Sequence, residues 1–186
     1  MKAGVFLIKV PIYMLREANL EDAKAIQNLI CFYSEDGKML FRTLEEIEEN
    51  IADFLVYEKR DEVIGICSLK FGWDRLVEIR SLGVDPRYHR QGIATQMIQG
   101  SIERALSRQD CDTAFVLTYA VPLFTKFGFD IVDKMELPQK VWNDCQACLH
   151  KDNCDETAMS LSLLPLKKVS LKNQPLLKDS GEVLYS

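Results

Sequence analysis

The sequence predicts an α/β fold in which helices flank a largely antiparallel sheet, and three observations carry that prediction. The stretch Leu76 to Val84 is rich in β-branched residues and bounded by turn signals, and Ile93, Ala94, Met97, Ile98, Ile102, Ala105 and Leu106 then recur at helical spacing. Two further strands, Phe54 to Tyr57 and Val63 to Phe71, are separated by the charged turn Glu58-Lys59-Arg60-Asp61-Glu62, the pattern of an antiparallel hairpin. Two apolar helical stripes precede that hairpin, so helices have one face to bury against it.

In chain order, Val5 to Leu15 predicts a first strand, interrupted at Pro11. Asn19 offers an N-cap to a helix carried by Leu20, Ala23, Ile26, Leu29 and Ile30, which Ser34 to Gly37 end. Thr43 with Glu46 forms a capping box, and Leu44, Ile47, Ile51 and Phe54 extend a second helical stripe. After the hairpin, the central strand and its helix come Thr113 to Thr118 as a strand, Pro122 to Phe127 as a short helix stopped by Gly128, Phe129 to Val132 as a strand, and Ala158 to Leu164 as the last. The predicted domain is 1–164, with a cysteine-containing insert at 135–157 and a C-terminal extension at 165–186.

The chain has 186 residues, enough for one domain with a real core. Its net charge of −5 argues against nucleic acid as a general partner, since phosphate-backbone binders show a basic face. The N-terminal apolar run, Val5 to Val10, contains Lys9 and is too short for a membrane span, so no membrane role and a cytoplasmic location are expected. In that compartment the six cysteines are expected to be reduced unless they bind metal or do redox chemistry.

Chemistry concentrates at the turn after the central strand, His89-Arg90-Gln91-Gly92-Ile93-Ala94-Thr95. A strand, a turn containing Arg and Gly, and a helix N-terminus make an anion site, because first-turn N–H groups lack partners and the helix dipole favours negative charge. A phosphate fits there.

The element order, with Gly92-Ile93-Ala94 in the turn and Phe127-Gly128-Phe129 further on, resembles the GNAT family of acetyl-CoA-dependent N-acetyltransferases over about residues 8–164. The family turn has Arg or Gln, two residues, Gly, one residue, then Gly or Ala; His89 departs from it, in the place of the Arg or Gln. The resemblance implies the acyl-CoA N-acyltransferase fold, a mixed and mostly antiparallel sheet flanked by helices. It also implies acetyl-CoA over residues 89–95 and a pantetheine arm paired with the backbone of Leu82, Gly83 and Val84. Arg42-Thr43-Leu44-Glu45-Glu46, Glu78-Ile79-Arg80-Ser81-Leu82, Val132-Asp133, Leu137-Pro138 and Lys140 resemble the acetyltransferase domain of N-acetylglutamate synthases, the short single-domain kind above all. That implies a small amino-acid acceptor, glutamate first, and a setting in arginine biosynthesis. Long synthases carry an Arg after the fifth strand, whereas this chain has Tyr119-Ala120-Val121.

An amine that attacks a thioester must first lose a proton, so a base near the end of the central strand is useful, and a fixed backbone N–H there can hold an oxyanion. Glu78 stands where several family members keep a catalytic Glu; its ordinary alternative is pairing with Arg80, two residues on and on the same face. Arg80 and Arg42 are the expected carboxylate holders. Relatives place a Tyr as general acid in the short helix, but that slot here is Phe124, and Tyr119 is the nearest phenol. Tyr119 is equally readable as a solvated loop residue. Cys145, Cys148 and Cys154, with His150, could hold zinc, but no second C-x2-C follows, which favours a loop of reduced cysteines. The C-terminal extension either crosses to a neighbouring subunit, making a homodimer, or lies over its own domain. Two other functions stay open: acetylation of another small amine or of a protein amine, and non-catalytic sensing of acyl-CoA or metal.

Overall fold

A computed structural model describes residues 13–137, 146 and 153–172. Its strands are β1 (Tyr13–Glu17), β2 (Phe54–Lys59), β3 (Glu62–Trp73), β4 (Leu76–Val84), β5 (Thr113–Thr118), β6 (Asp130–Ile131) and β7 (Thr157–Ser162). They form one sheet in the order β1-β2-β3-β4-β5-β7-β6. Among the described strands only β4 and β5 run parallel, and every other pairing is antiparallel. The mixed, mostly antiparallel sheet expected from the sequence is present. The predicted first strand begins outside the described residues, and its described part runs on to Glu17.

Among the described residues the helices are α1 (Ala23–Glu35), α2 (Leu44–Glu49), α3 (Ile93–Ser107), α4 (Val121–Thr125) and α5 (Leu164–Lys172). Asn19 and Thr43 cap as their sequence contexts predict: Asn19 accepts from the Glu21 N–H, and Thr43 accepts from the Glu46 N–H while Glu46 reaches back to the Thr43 N–H. The second helical stripe breaks earlier than expected. Helix α2 stops at Glu49, a 3-10 turn covers Ile51–Asp53, and Phe54 belongs to β2, where it pairs with Ser68. At the C-terminus, a scatter of leucines without clear period nevertheless forms α5. Lys167 anchors it by donating to the carbonyls of Arg108 (2.6 Å) and Cys111, so the described part of the extension lies on its own domain.

Two hairpins use two-residue turns without glycine. Arg60 and Asp61 (φ 55° and 65°) join β2 to β3, and Asp74 and Arg75 (φ 39° and 64°) join β3 to β4. Paired positive φ values match the twist of the flanking strands, and Asp tolerates them better than most residues.

The faces of the sheet differ. Helices α3 and α4 cover one with a single apolar cluster running from Leu55 and Tyr57 through Leu69, Val77 and Ile79 to Val116, Met159 and Leu161. The other face carries two separate clusters. Ile26, Ile30, Ile47, Phe54, Val56 and Ile66 lie under α1 and α2, while Phe115, Leu137 and Ala158 lie towards β7. Among the described residues no helix is long and apolar enough to cross a membrane.

Candidate active site

Strand β4 builds the site because it changes partners along its length. Its parallel ladder to β5 runs only from Leu76–Thr113 to Glu78–Phe115, while β3 accompanies it to Val84. Cys67 of β3 stands opposite both Ser81 and Leu82, a bulge in which Ser81 takes φ 51°. Beyond it the Asp85 N–H donates to the Ile64 carbonyl at 2.8 Å, so Gly65–Val84 is a non-hydrogen-bonded pair. The N–H and C=O of Val84 therefore point away from β3, and alternation turns those of Gly83 towards it. Of the backbone expected to meet the pantetheine arm, Val84 offers an edge-facing N–H, while Gly83 is committed to its neighbour strand.

The turn that follows is shaped for an anion. Arg90 has φ 61° and Gly92 φ 79°, and a Cβ built on Gly92 meets nothing within 4 Å, so this glycine opens space in front of the helix. Gly92 caps α3 without a side-chain bond, and the first intrahelical bond is from the Gln96 N–H to its carbonyl at 3.1 Å. The N–H groups of Ile93, Ala94 and Thr95 thus have no acceptor within the helix. Arg90, Gln91 and Thr95 are exposed around them, and the Ile93 side chain is buried beneath. His89 is exposed, and its Nε2 lies 2.8 Å from the Val84 carbonyl. The place of the Arg or Gln is taken by an imidazole that ties the turn to the strand, and Arg90 is the exposed cation beside it.

On the α1/α2 face, a polar strip separates the two apolar clusters. Ser68 pairs with Arg80 and Lys70 with Glu78 across the β3–β4 ladder, which puts all four side chains on one face. Glu78 Oε2 and Arg80 Nη1 stand 3.8 Å apart, with side chains 13% and 14% exposed. Asp53, on the turn after α2, faces the same strip. Burial pushes its carboxyl pKa up, and the positive charges of Arg80, Arg104, Lys70 and Arg42 oppose that rise. Arg80 and Arg42, the two expected carboxylate holders, both act on Asp53 in this way. Lys70 and Asp53 were not anticipated.

Tyr119 is half-exposed, and its hydroxyl donates to Asp155 Oδ1 at 2.7 Å. Burial, then that bond and the nearby Glu156 push its pKa up, so its proton is held firmly. A role as general acid would have to break this bond. Phe124 is 1% exposed and packs edge-on against Phe129 at 5.3 Å, which makes the short helix a core element. Cys154 is half-buried, and its carbonyl accepts from Lys134 Nζ at 2.7 Å. Cys145, Cys148 and His150 lie outside the described residues. Among the described residues no group of three His, Cys, Asp or Glu side chains could hold a metal.

The Acetyltransferase (GNAT) family model matches residues 20–129. An uncharacterised N-acetyltransferase of Chlorobaculum tepidum is 38% identical over 149 residues, 80% of this chain and 96% of that one. The amino-acid acetyltransferase of Mycobacterium tuberculosis is 29% identical over 70% of this chain and 76% of that one. The Aeromonas salmonicida enzyme of the same name is 28% identical, and this chain spans about a third (33%) of its length. In structure, N-acetylglutamate synthase of Neisseria gonorrhoeae, complexed with coenzyme A and N-acetylglutamate, superposes with TM-score 0.73 at 24% identity over 83% of this chain and 36% of that one. A Mycobacterium tuberculosis protein in complex with CoA superposes with TM-score 0.70 at 26% identity over 81% of this chain and 99% of that one. These matches show that the chain, with its open β4 edge leading to a helix start whose first amides have no acceptor within the helix, belongs to the GNAT family and is an acetyl-CoA-dependent N-acetyltransferase.

Proposed function

We propose that this enzyme acetylates the α-amino group of a small acidic amino acid, with L-glutamate as the acceptor. The observation that carries this reading is the strip of Lys70, Glu78 and Arg80, with Arg42 and Asp53 beside it, set between two apolar clusters next to the open edge of β4. An acceptor with two carboxylates and one ammonium asks for that mixture of charge. The relatives named amino-acid acetyltransferase support an amino-acid acceptor.

Acetyl-CoA, when bound, supplies the activated acyl group. The amides of Ile93, Ala94 and Thr95 would hold its pyrophosphate, and the open side of Gly92 admits it. Arg80 and Arg42 would hold acceptor carboxylates, since a guanidinium grips a carboxylate through two parallel bonds. Glu78, on the same face, would take the ammonium proton directly or through a water. The Val84 N–H faces the edge along which the thioester arm lies. The deciding experiment measures thiol release from acetyl-CoA with a panel of glutamate, aspartate, glutamine, lysine and simple neutral amines. Glutamate should give the highest kcat/KM; neutral amines turning over equally well would sink the acidic-acceptor reading.

A further inference from the structure

Helix α1 sends one side chain across to the cofactor strand. The Tyr33 hydroxyl donates to the Val84 carbonyl at 2.5 Å and lies 3.0 Å from His89 Nε2, which is itself 2.8 Å from the same carbonyl. Three polar atoms thus meet at the point where β4 leaves the sheet. The chemistry sets the protons. A bare Nε2 would aim its lone pair at a carbonyl oxygen, so Nε2 carries the hydrogen and donates, while the two lone pairs of the carbonyl accept both groups. Burial raises the Tyr33 pKa, in keeping with a hydroxyl that stays a donor.

The ring has a prepared seat. A Cβ on Gly83 would lie 3.0 and 3.1 Å from two carbons of the Tyr33 ring, so Gly83 is the residue that lets the ring lie flat on the strand. Phe32 supports it edge-on at 5.2 Å and 89°. Gly83, Val84 and His89 all belong to the stretch assigned above to the cofactor, and Tyr33 touches each of them.

We infer that Tyr33 is a positioning residue for acetyl-CoA: from the acceptor-side helix it clamps the Val84 carbonyl and the His89 ring, and so holds the 89–92 turn in its anion-receiving shape. The clamp closes the base of the loop between Val84 and Gly92. It also occupies the Val84 carbonyl, leaving the N–H as the edge group for the pantetheine arm. Without the hydroxyl, the turn must be ordered by the cofactor itself, and binding weakens by that ordering cost. The inference rests on the assignment of CoA to residues 89–95.

The test uses Tyr33→Phe, which keeps the ring in its seat and removes one hydrogen bond. Calorimetric titration with CoA should show Kd raised roughly three- to ten-fold, the range expected for one lost bond. The KM for acetyl-CoA should rise with it, while kcat and the acceptor KM stay within about two-fold. Gly83→Ala crowds the ring with its hydroxyl intact and should raise the Kd for CoA as well. In Tyr33→Phe combined with His89→Ala, the losses should be less than additive, because the two groups share one acceptor. A CoA Kd in Tyr33→Phe equal to that of the wild type, or a fall in kcat with Kd unchanged, overturns the inference. Unchanged CoA binding in Gly92→Val would instead overturn the placement of CoA at this turn, and the two failures are therefore distinguishable.

Discussion

Arg80 sits one pleat repeat from Glu78, about 7 Å along the strand, and its guanidinium turns back to within 3.8 Å of the carboxylate. A guanidinium carries five N–H groups, so one such side chain can engage more than one carboxylate. Arg80→Lys and Arg42→Lys each replace a planar fork by a point charge. Each should reduce kcat/KM for glutamate by about 1.5–3 kcal/mol, with the KM for acetyl-CoA little changed; wild-type glutamate kinetics in both variants would refute the carboxylate pocket. Glu78→Gln keeps the shape and loses the base, so kcat should drop roughly 10²–10⁴-fold, which steady-state rates at saturating substrates would show. At the turn, Gly92 holds φ 79° in front of open space. Gly92→Val combines backbone strain with a side chain standing in that space. A sharp rise in the KM for acetyl-CoA with a near-normal circular dichroism spectrum is the expected result.

At the level of elements, one partly buried network fastens β1 to the start of α1 and to β2. Arg16 donates to both carboxylate oxygens of Asp22 (2.7 and 2.8 Å) and to Glu58 Oε2 (2.6 and 2.8 Å), and Asp22 also accepts from the Asn19 N–H at 2.8 Å. The hydrogen bond from Arg16 holds the Asp22 carboxyl below the usual aspartate range, outweighing the opposing effect of burial. The sign follows from linkage. A folded-state pKa below the unfolded one gives stability that is present above the unfolded value near pH 4 and is lost as the pH falls through the folded one. Urea titrations should show wild-type stability falling below pH 4. Asp22→Asn should cost about 2–4 kcal/mol at pH 7 and flatten that acid limb; an equally steep limb in the variant would refute the assignment. Packing between elements is tested at Gly65, where a Cβ would stand 2.9 Å from Met97 Sδ and 3.2 Å from both Ile93 Cγ2 and Tyr57 Cβ. Gly65→Ala should destabilise by about 1–3 kcal/mol by lifting the start of α3 off the sheet.

Across the whole molecule, the apolar cluster under α3 is continuous while the opposite face is split, and the split is where polar residues gather. The same end of the sheet is tied shut below it. Arg75, at the tip of the β3–β4 hairpin, donates to the Gln109 carbonyl at 2.7 Å and to Asp112 across the α3–β5 connection. Lys167 brings α5 onto that connection and lies 4.0 Å from Asp112. Lys167→Met should lower Tm by about 2–6 °C, the shift expected when one or two hydrogen bonds worth about 1 kcal/mol each are lost from a domain of this size. Scanning calorimetry checks it, and an unchanged Tm would mean that α5 docks through its apolar side alone.

Local signals determined much of this fold. The Thr43 box, the Asn19 cap, the apolar stripe of α3 and the hairpin around Arg60-Asp61 each depend on neighbours within a few residues, which is why they could be read directly. The anion turn at Gly92 was legible for the same reason, and Glu78 and Arg80 share a face simply because strands alternate. What lies beyond needed long-range contacts. A two-residue turn at Asp74-Arg75 counted without irregularity would place Phe71 opposite Glu78. A bulge at Gly72, with φ 126°, shifts the register by one, puts Lys70 there instead and turns Phe71 into the core under α3. The bulge at Ser81, the seat of Tyr33 on Gly83, the meeting of Tyr33 with His89 and the field of Arg42, Lys70, Arg80 and Arg104 at Asp53 join residues from 11 to 56 positions apart only through packing. Spacing along a chain determines which face a side chain takes. Which distant side chain it meets there is decided by register and by how the helices settle on the sheet, and those are set only when the whole core closes.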